Sequence, residues 1–174
     1  MKTRLLFVAT AGLLLGPAVW SAEKEKPAQV SRAEVSFVEP EKFTDFKDSY
    51  HYSEQGRDNL ISRFTAHIES LARTYIPEGA KLVVKFTDID LAGDFEPWHG
   101  PNYTDVRVVK DIYIPRLTFD FQVLGADGKV LSEGHRELRD MAFQLNHSGF
   151  ASDPLRYEKE MLTDWARSEF RPKK

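Results

Sequence analysis

LISRFTAHIESLARTYIPEGAKLVVKFTDIDLAG, residues 60–93, carries two different hydrophobic periods in one run. Leu60, Ile61, Phe64, Ile68, Leu71, Ala72 and Tyr75 recur at steps of three and four, which puts them on one stripe of a helix. Pro77-Glu78-Gly79 ends that helix, because proline cannot continue the backbone hydrogen bonding and glycine supplies the turn. From Lys81 the period drops to two. Leu82, Val84 and Phe86 share one side, and Val83, Lys85, Thr87 and Ile89 share the other, as in a half-buried strand over residues 81–91. The side bearing Leu82, Val84 and Phe86 then runs on into Asp88 and Asp90, two carboxylates where the pleat calls for core residues. A helix and a strand that each bury one side require a helix-on-sheet layer, so the rest of the chain must complete the sheet.

Working outward, residues 35–38 form a short strand stopped by Glu39-Pro40, and the aromatic, acidic stretch 41–52 reads as loop. Residues 94–111, with Pro97, Trp98, His99, Pro101 and Tyr103, make a connection longer than the usual ~4–6 residues. Beyond it, Leu117, Phe119, Phe121 and Val123 alternate with Thr118, Asp120 and Gln122, and Asp127-Gly128 is a hairpin signal leading into a strand over 130–138. A two-residue turn there makes facing positions sum to a constant, setting Leu117 against Leu138, Phe119 against Arg136, Asp120 against His135 and Phe121 against Gly134. The second hairpin strand is polar and belongs at a sheet edge. After a loop at 146–152, Asp153 reads as an N-cap and Pro154 as the first helical residue, with Leu155, Met161, Leu162, Trp165 and Phe170 on the apolar side. The expected fold is α+β: an antiparallel-rich sheet of about four strands with two helices packed on one face, in the order β-α-β-β-β-α. The first strand runs parallel to the 81–91 strand, to which a helix connects it.

The N-terminus reads as an address. Lys2 and Arg4 precede an apolar run to Trp20, broken by Gly16-Pro17 and followed by small residues at Ser21-Ala22, which is the pattern of a cleavable secretory signal. The expected organisation is a signal over residues 1–22, a solvated leader over 23–32 and one domain over 33–174. With no cysteine in the chain, a lipid-modified cysteine, a disulfide and a thiolate metal site are all excluded. The expected mature protein therefore has no stable membrane anchor and resides in the periplasm. Cleavage removes two cations and no anion, moving the formal charge from -3 to -5, which argues against nucleic acid as a partner.

Few residues suggest chemistry. The topology brings Asp88 and Asp90, at the end of one strand, towards Arg116 at the start of its neighbour, with Arg136, Arg139 and Asp140 close by. Such a set can be an ionic network tying strand ends together, since guanidinium groups accept carboxylates in pairs. It can also be a ligand site. Asp88, Asp90, Asp94, Glu96, His99 and Asp105 supply the oxygens and imidazole that a calcium-like cation could use, although their spacing matches no metal loop. The network is the preferred reading. His51, His67, His99, His135 and His147 share no metal-ligand spacing, and His67 falls at the boundary of the helix's apolar stripe. Ser132, Ser148 and Ser152 lack a nucleophile elbow, and Gly93, Gly100 and Gly125 are isolated rather than part of a phosphate-cradling loop. No cofactor is expected.

Asp88-Ile89-Asp90-Leu91-Ala92-Gly93, Arg107-Val108-Val109, Pro115-Arg116, Leu138-Arg139-Asp140-Met141 and Pro154-Leu155-Arg156-Tyr157-Glu158-Lys159-Glu160-Met161-Leu162 occur in this order. Together they resemble the exported proteobacterial family called domain of unknown function 3016, over almost the whole mature chain. The resemblance implies a Gram-negative envelope protein and brings no activity, substrate, cofactor or catalytic residue. The sequence thus favours a non-enzymatic binding or interaction module for an envelope protein or small ligand. The alternatives are a metal-dependent hydrolase built on Asp88 and Asp90, and an accessory subunit of an envelope assembly.

Overall fold

The computed structural model describes residues 30–100, 104–145 and 152–171. The secretory signal at 1–22, most of the leader and the bulk of the 146–152 loop lie outside the described residues. The principal elements are β1 (Ala33–Phe37), α1 (Glu54–Tyr75), β2 (Lys81–Asp90), β3 (Asp94–Phe95), β4 (Arg107–Val108), β5 (Arg116–Leu124), β6 (Val130–Arg139) and α2 (Arg156–Phe170). The main sheet has four strands in the order β1-β2-β5-β6, and β3 with β4 forms a small separate ribbon. β1 runs parallel to β2, and the other two pairings in the main sheet are antiparallel. This is the expected α+β fold, with the polar strand β6 at an edge.

Burial follows the two periods. Leu60, Phe64, Ile68, Leu71 and Ala72 of α1 and Met161, Leu162, Trp165 and Ala166 of α2 lie in one core with Leu82, Val84, Phe86, Leu117, Phe119, Phe121 and Val123 of the sheet. Phe86 sits among aromatic neighbours, with ring centroids 5.2 Å from Phe37, 5.6 Å from Phe64 and 5.4 Å from Phe119. Trp165 meets Phe119, Phe121 and Phe170 edge to face at 4.8, 5.3 and 5.3 Å, a favoured ring geometry. α1 begins six residues before its apolar stripe. Ser53 caps it, its side-chain oxygen accepting the Gly56 N–H at 3.0 Å, so a cap starts the helix where no apolar residue announces it. α2 begins later than Asp153-Pro154 indicates. The Asp153 carboxylate accepts the Leu155 N–H and pairs with Arg63 and Lys159. It closes a turn ahead of the helix, and Leu155 occupies the N-cap.

Two irregularities decide where polar residues point. In β2 the pairing with β5 shifts between Phe86 and Asp88, leaving Thr87 as an extra residue. After this bulge the phase of the strand reverses: Ile89 is buried in the core, while Asp88 and Asp90 are only half-buried. The carboxylates therefore do not extend the face of Leu82, Val84 and Phe86, because a one-residue bulge exchanges the two sides of a strand. In the hairpin the expected facing pairs form from Val123–Ser132 outward to Leu117–Leu138. The turn is nevertheless one residue longer than expected. The Gly125 N–H donates to the Lys129 carbonyl at 2.8 Å and its carbonyl accepts the Gly128 N–H at 2.9 Å, which leaves Ala126-Asp127-Gly128 as the loop. A second shift, between Val123 and Leu124, sets Leu131 aside and restores the register.

Candidate functional site

The C-terminal end of β2, the start of β5 and the end of β6 share one end of the sheet. There the segment before α1 adds a short parallel bridge to β2 beyond the end of β1: Asp45 N–H donates to the Ile89 carbonyl at 3.0 Å and Leu91 N–H to the Asp45 carbonyl at 3.1 Å. Asp88 holds this added segment, its two oxygens accepting the Thr44 N–H at 2.7 Å and the Thr44 hydroxyl at 2.8 Å. Asp88 is thus engaged by a threonine, not by an arginine.

The arginine that closes this end is Arg107 on β4. Its guanidinium donates to both Asp45 carboxylate oxygens, at 2.6 and 3.3 Å, and to the carbonyls of Gly93 and Lys47, each at 2.8 Å. It also lies over the Phe95 ring at 4.6 Å. One side chain ties the pre-helix segment to the β3–β4 ribbon, using the planar fork that lysine lacks. Gly93 makes the approach possible: at φ 81°, a Cβ there would lie 2.7 Å from the Val108 carbonyl oxygen.

Glu96 is the second anchor and is only 2% exposed. It accepts Lys110 Nζ on both oxygens, at 2.6 and 2.7 Å, the Tyr113 hydroxyl at 2.8 Å, and an N–H of His99 Nε2 at 2.8 Å. Lys110 and Tyr113 hold its pKa down to about 2. A carboxylate so fully occupied has no lone pair left for a cation. Asp94 Oδ1 accepts its neighbour's Phe95 N–H at 2.7 Å, and Asp105 is exposed. Among the described residues no group of three or more carboxylate and imidazole side chains is placed to hold a metal ion.

Asp90 differs from these. It was expected to approach Arg116 and faces it in register, yet the two side chains do not reach ion-pair distance, and among the described residues the Asp90 carboxylate has no hydrogen-bond partner. Burial, with Asp45 nearby, raises its pKa, and Arg116 only partly opposes the shift. Both residues line a cleft of about 260 Å³, together with Asp45, Lys47, Asp94 and Tyr113. On the far side of Arg116 stands Arg139, its register partner on β6. Arg136 lies elsewhere: it points to the helix side, pairs with Glu169 of α2 at 2.6 Å and covers the Phe121 ring at 4.9 Å. Asp140 Oδ1 accepts the Ala142 N–H at 2.8 Å and shapes the turn after β6.

Sequence reasoning missed Thr44, Asp45, Arg107, Lys110 and Tyr113, whose contacts arise from chain segments far apart in sequence. Glu158 was legible. It occupies a core position between Leu155 and Leu162 on the apolar side of α2, is 1% exposed, and accepts the Ala92 N–H at 2.7 Å. Burial raises its pKa. It fastens the turn after β2 to α2.

These features define a helix-covered sheet whose open end is closed by carboxylate contacts around a small polar cleft. The family model described as "Protein of unknown function (DUF3016)" matches residues 31–168, and the chain belongs to that family. No solved structure and no curated protein matches it. No described helix is long and apolar enough to cross a membrane.

Proposed function

We propose that this is an exported protein of the Gram-negative periplasm that acts as a non-enzymatic binding module, taking a small polar ligand at the Asp90 cleft. The supporting observation is the state of the charges there. Asp88, Asp45 and Glu96 are engaged by the protein's own donors, whereas Asp90 and Arg116 face each other without contact across a cleft. An uncommitted carboxylate beside an uncommitted guanidinium suits a ligand carrying both a cation and an anion, such as a free amino acid or dipeptide. A charge left half-buried without a partner is held at a cost that a ligand would offset. The signal-like N-terminus, with Lys2 and Arg4 before an apolar run, supports export.

The test is a titration of the mature chain with a panel of amino acids and dipeptides, followed by backbone amide resonances. Shifts centred on Asp90, Asp94 and Tyr113, lost in Asp90→Asn, are the expected result. Tightly bound stoichiometric calcium or zinc in protein purified without chelator, together with turnover of phosphoester or peptide substrates, would replace this reading with a hydrolase. Cell fractionation of the native protein tests the location, and an intact Met1 start in the membrane fraction would refute it.

A further inference from the structure

We infer that β6 is a self-association edge, through which two copies pair antiparallel about an axis at Arg136 and join their sheets into one. β6 is ten residues long and has a strand neighbour on one side alone. Among the described residues, no backbone group of another segment hydrogen-bonds to its outer side. A long free edge of this kind is a template for strand addition, and natural proteins ordinarily shorten or cover it.

Side-chain complementarity makes a second copy the occupant of this edge. A two-fold axis at Arg136 sets Glu133 opposite Arg139 of the second copy and His135 opposite Glu137, each pair occurring twice by symmetry. Directly opposed residues of an antiparallel pair have Cβ atoms about 4.5–5.5 Å apart, within reach of an ion pair. Arg139 makes no ion pair in its own chain among the described residues, and it stands beside Arg116 in register, a like-charge neighbour. The second copy's Glu133 gives it a carboxylate. Neighbouring registers fail on charge. An axis at His135 opposes Glu133 to Glu137, and an axis at Glu137 opposes that glutamate to itself. Arg136, on the axis, is already neutralised by Glu169 and turned onto Phe121.

This inference does not depend on what the Asp90 cleft binds. It is tested on the mature chain by sedimentation equilibrium over a range of concentrations. The wild type should associate to a dimer. Glu133→Arg and Arg139→Glu should each weaken dimerisation roughly tenfold or more, equivalent to about 1.4 kcal/mol, and the double charge swap should restore it. Both positions are exposed, and retained circular dichroism and melting temperature would show that neither variant merely fails to fold. The register has its own readout, because the chain has no cysteine. Glu133→Cys with Arg139→Cys should oxidise to a covalent dimer, while either substitution alone should not. A chain monomeric at every accessible concentration, a double swap that does not rescue, or single cysteines that crosslink as well as the pair would each overturn the inference.

Discussion

The helix-covered face of the sheet and the polar end where β2, β5 and β6 meet are held by different kinds of force. On the covered face Leu82, Val84, Phe86, Phe119 and Phe121 are removed from water by two helices. That stabilisation is non-directional and proportional to area. At the polar end, Asp88, Asp45 and Glu96 are fixed by donors from distant segments at 2.6–2.8 Å, and each contact depends on direction and charge. The first region reveals itself by periodicity. The second exists only once the chain has folded.

The comparison is broken most severely from the covered face. Phe86→Ala should cost about 3–5 kcal/mol, because truncation leaves a cavity among rings that relax only partly. Urea unfolding measures this, and a midpoint unchanged from wild type would show the aromatic cluster to be dispensable. At the polar end, Arg107→Ala leaves Asp45 and two carbonyls without their shared donor, and should cost about 3 kcal/mol. If instead Asp45→Asn and Arg107→Gln prove additive in a double-mutant cycle, the contact is geometric and carries no coupling energy.

His67 lies between the two helices, its Nε2 donating to the Lys159 carbonyl at 3.0 Å, and burial depresses its pKa to about 4. The folded state therefore takes up a proton less readily than the unfolded chain. The stability it contributes is complete above the ordinary value of 6.5 and is lost as pH falls from there towards 4. Between about pH 7 and pH 5 the wild type should lose about 2 kcal/mol relative to His67→Gln, which lacks the titrating group. Parallel pH profiles for the two proteins would show that the imidazole charges freely in the fold. The smallest effect belongs to Asp90. Its raised pKa means that its surroundings disfavour the charge, so Asp90→Asn should stabilise the protein at neutral pH by about a few tenths of a kcal/mol after solvent screening. Loss of stability instead would reveal an attractive partner for Asp90 in solution.

The legible parts of the fold were those written in short-range pattern. The stripe of α1, the alternation of β5 and the Asp127-Gly128 signal placed the helices, the sheet order and the facing pairs from Leu117–Leu138 to Phe121–Gly134. Alternation alone could not reveal the bulge at Thr87, since Ile89 then reads as belonging to the wrong face. Ile89 was the clue, an apolar residue between two aspartates on a strand with one wet side. At the polar end Asp88 and Asp90 were brought towards Arg116, and Asp90 does face it, but the Thr44–Asp45 segment that engages Asp88 and bridges to β2 is tied to that strand by no local pattern. Likewise nothing in Arg107-Val108 indicates that Asp45 is the partner, because ion pairs between remote segments leave no periodic trace.

The bulged residue Leu131 bears on how the chain tolerates changes in length. It sits outside the facing pairs of β5 and β6, between Val130, opposite Leu124, and Ser132, opposite Val123. Deleting it would join two residues that already lie on opposite sides of the sheet and would leave every downstream pair in place. Deleting Glu133, Gly134 or His135 would instead turn the rest of β6 over, sending Arg136 and Leu138 to the open face. Single-residue deletions along this hairpin should therefore be accepted at one position and rejected at its neighbours, and natural length variation in the hairpin should gather at Leu131 and the Ala126-Asp127-Gly128 turn.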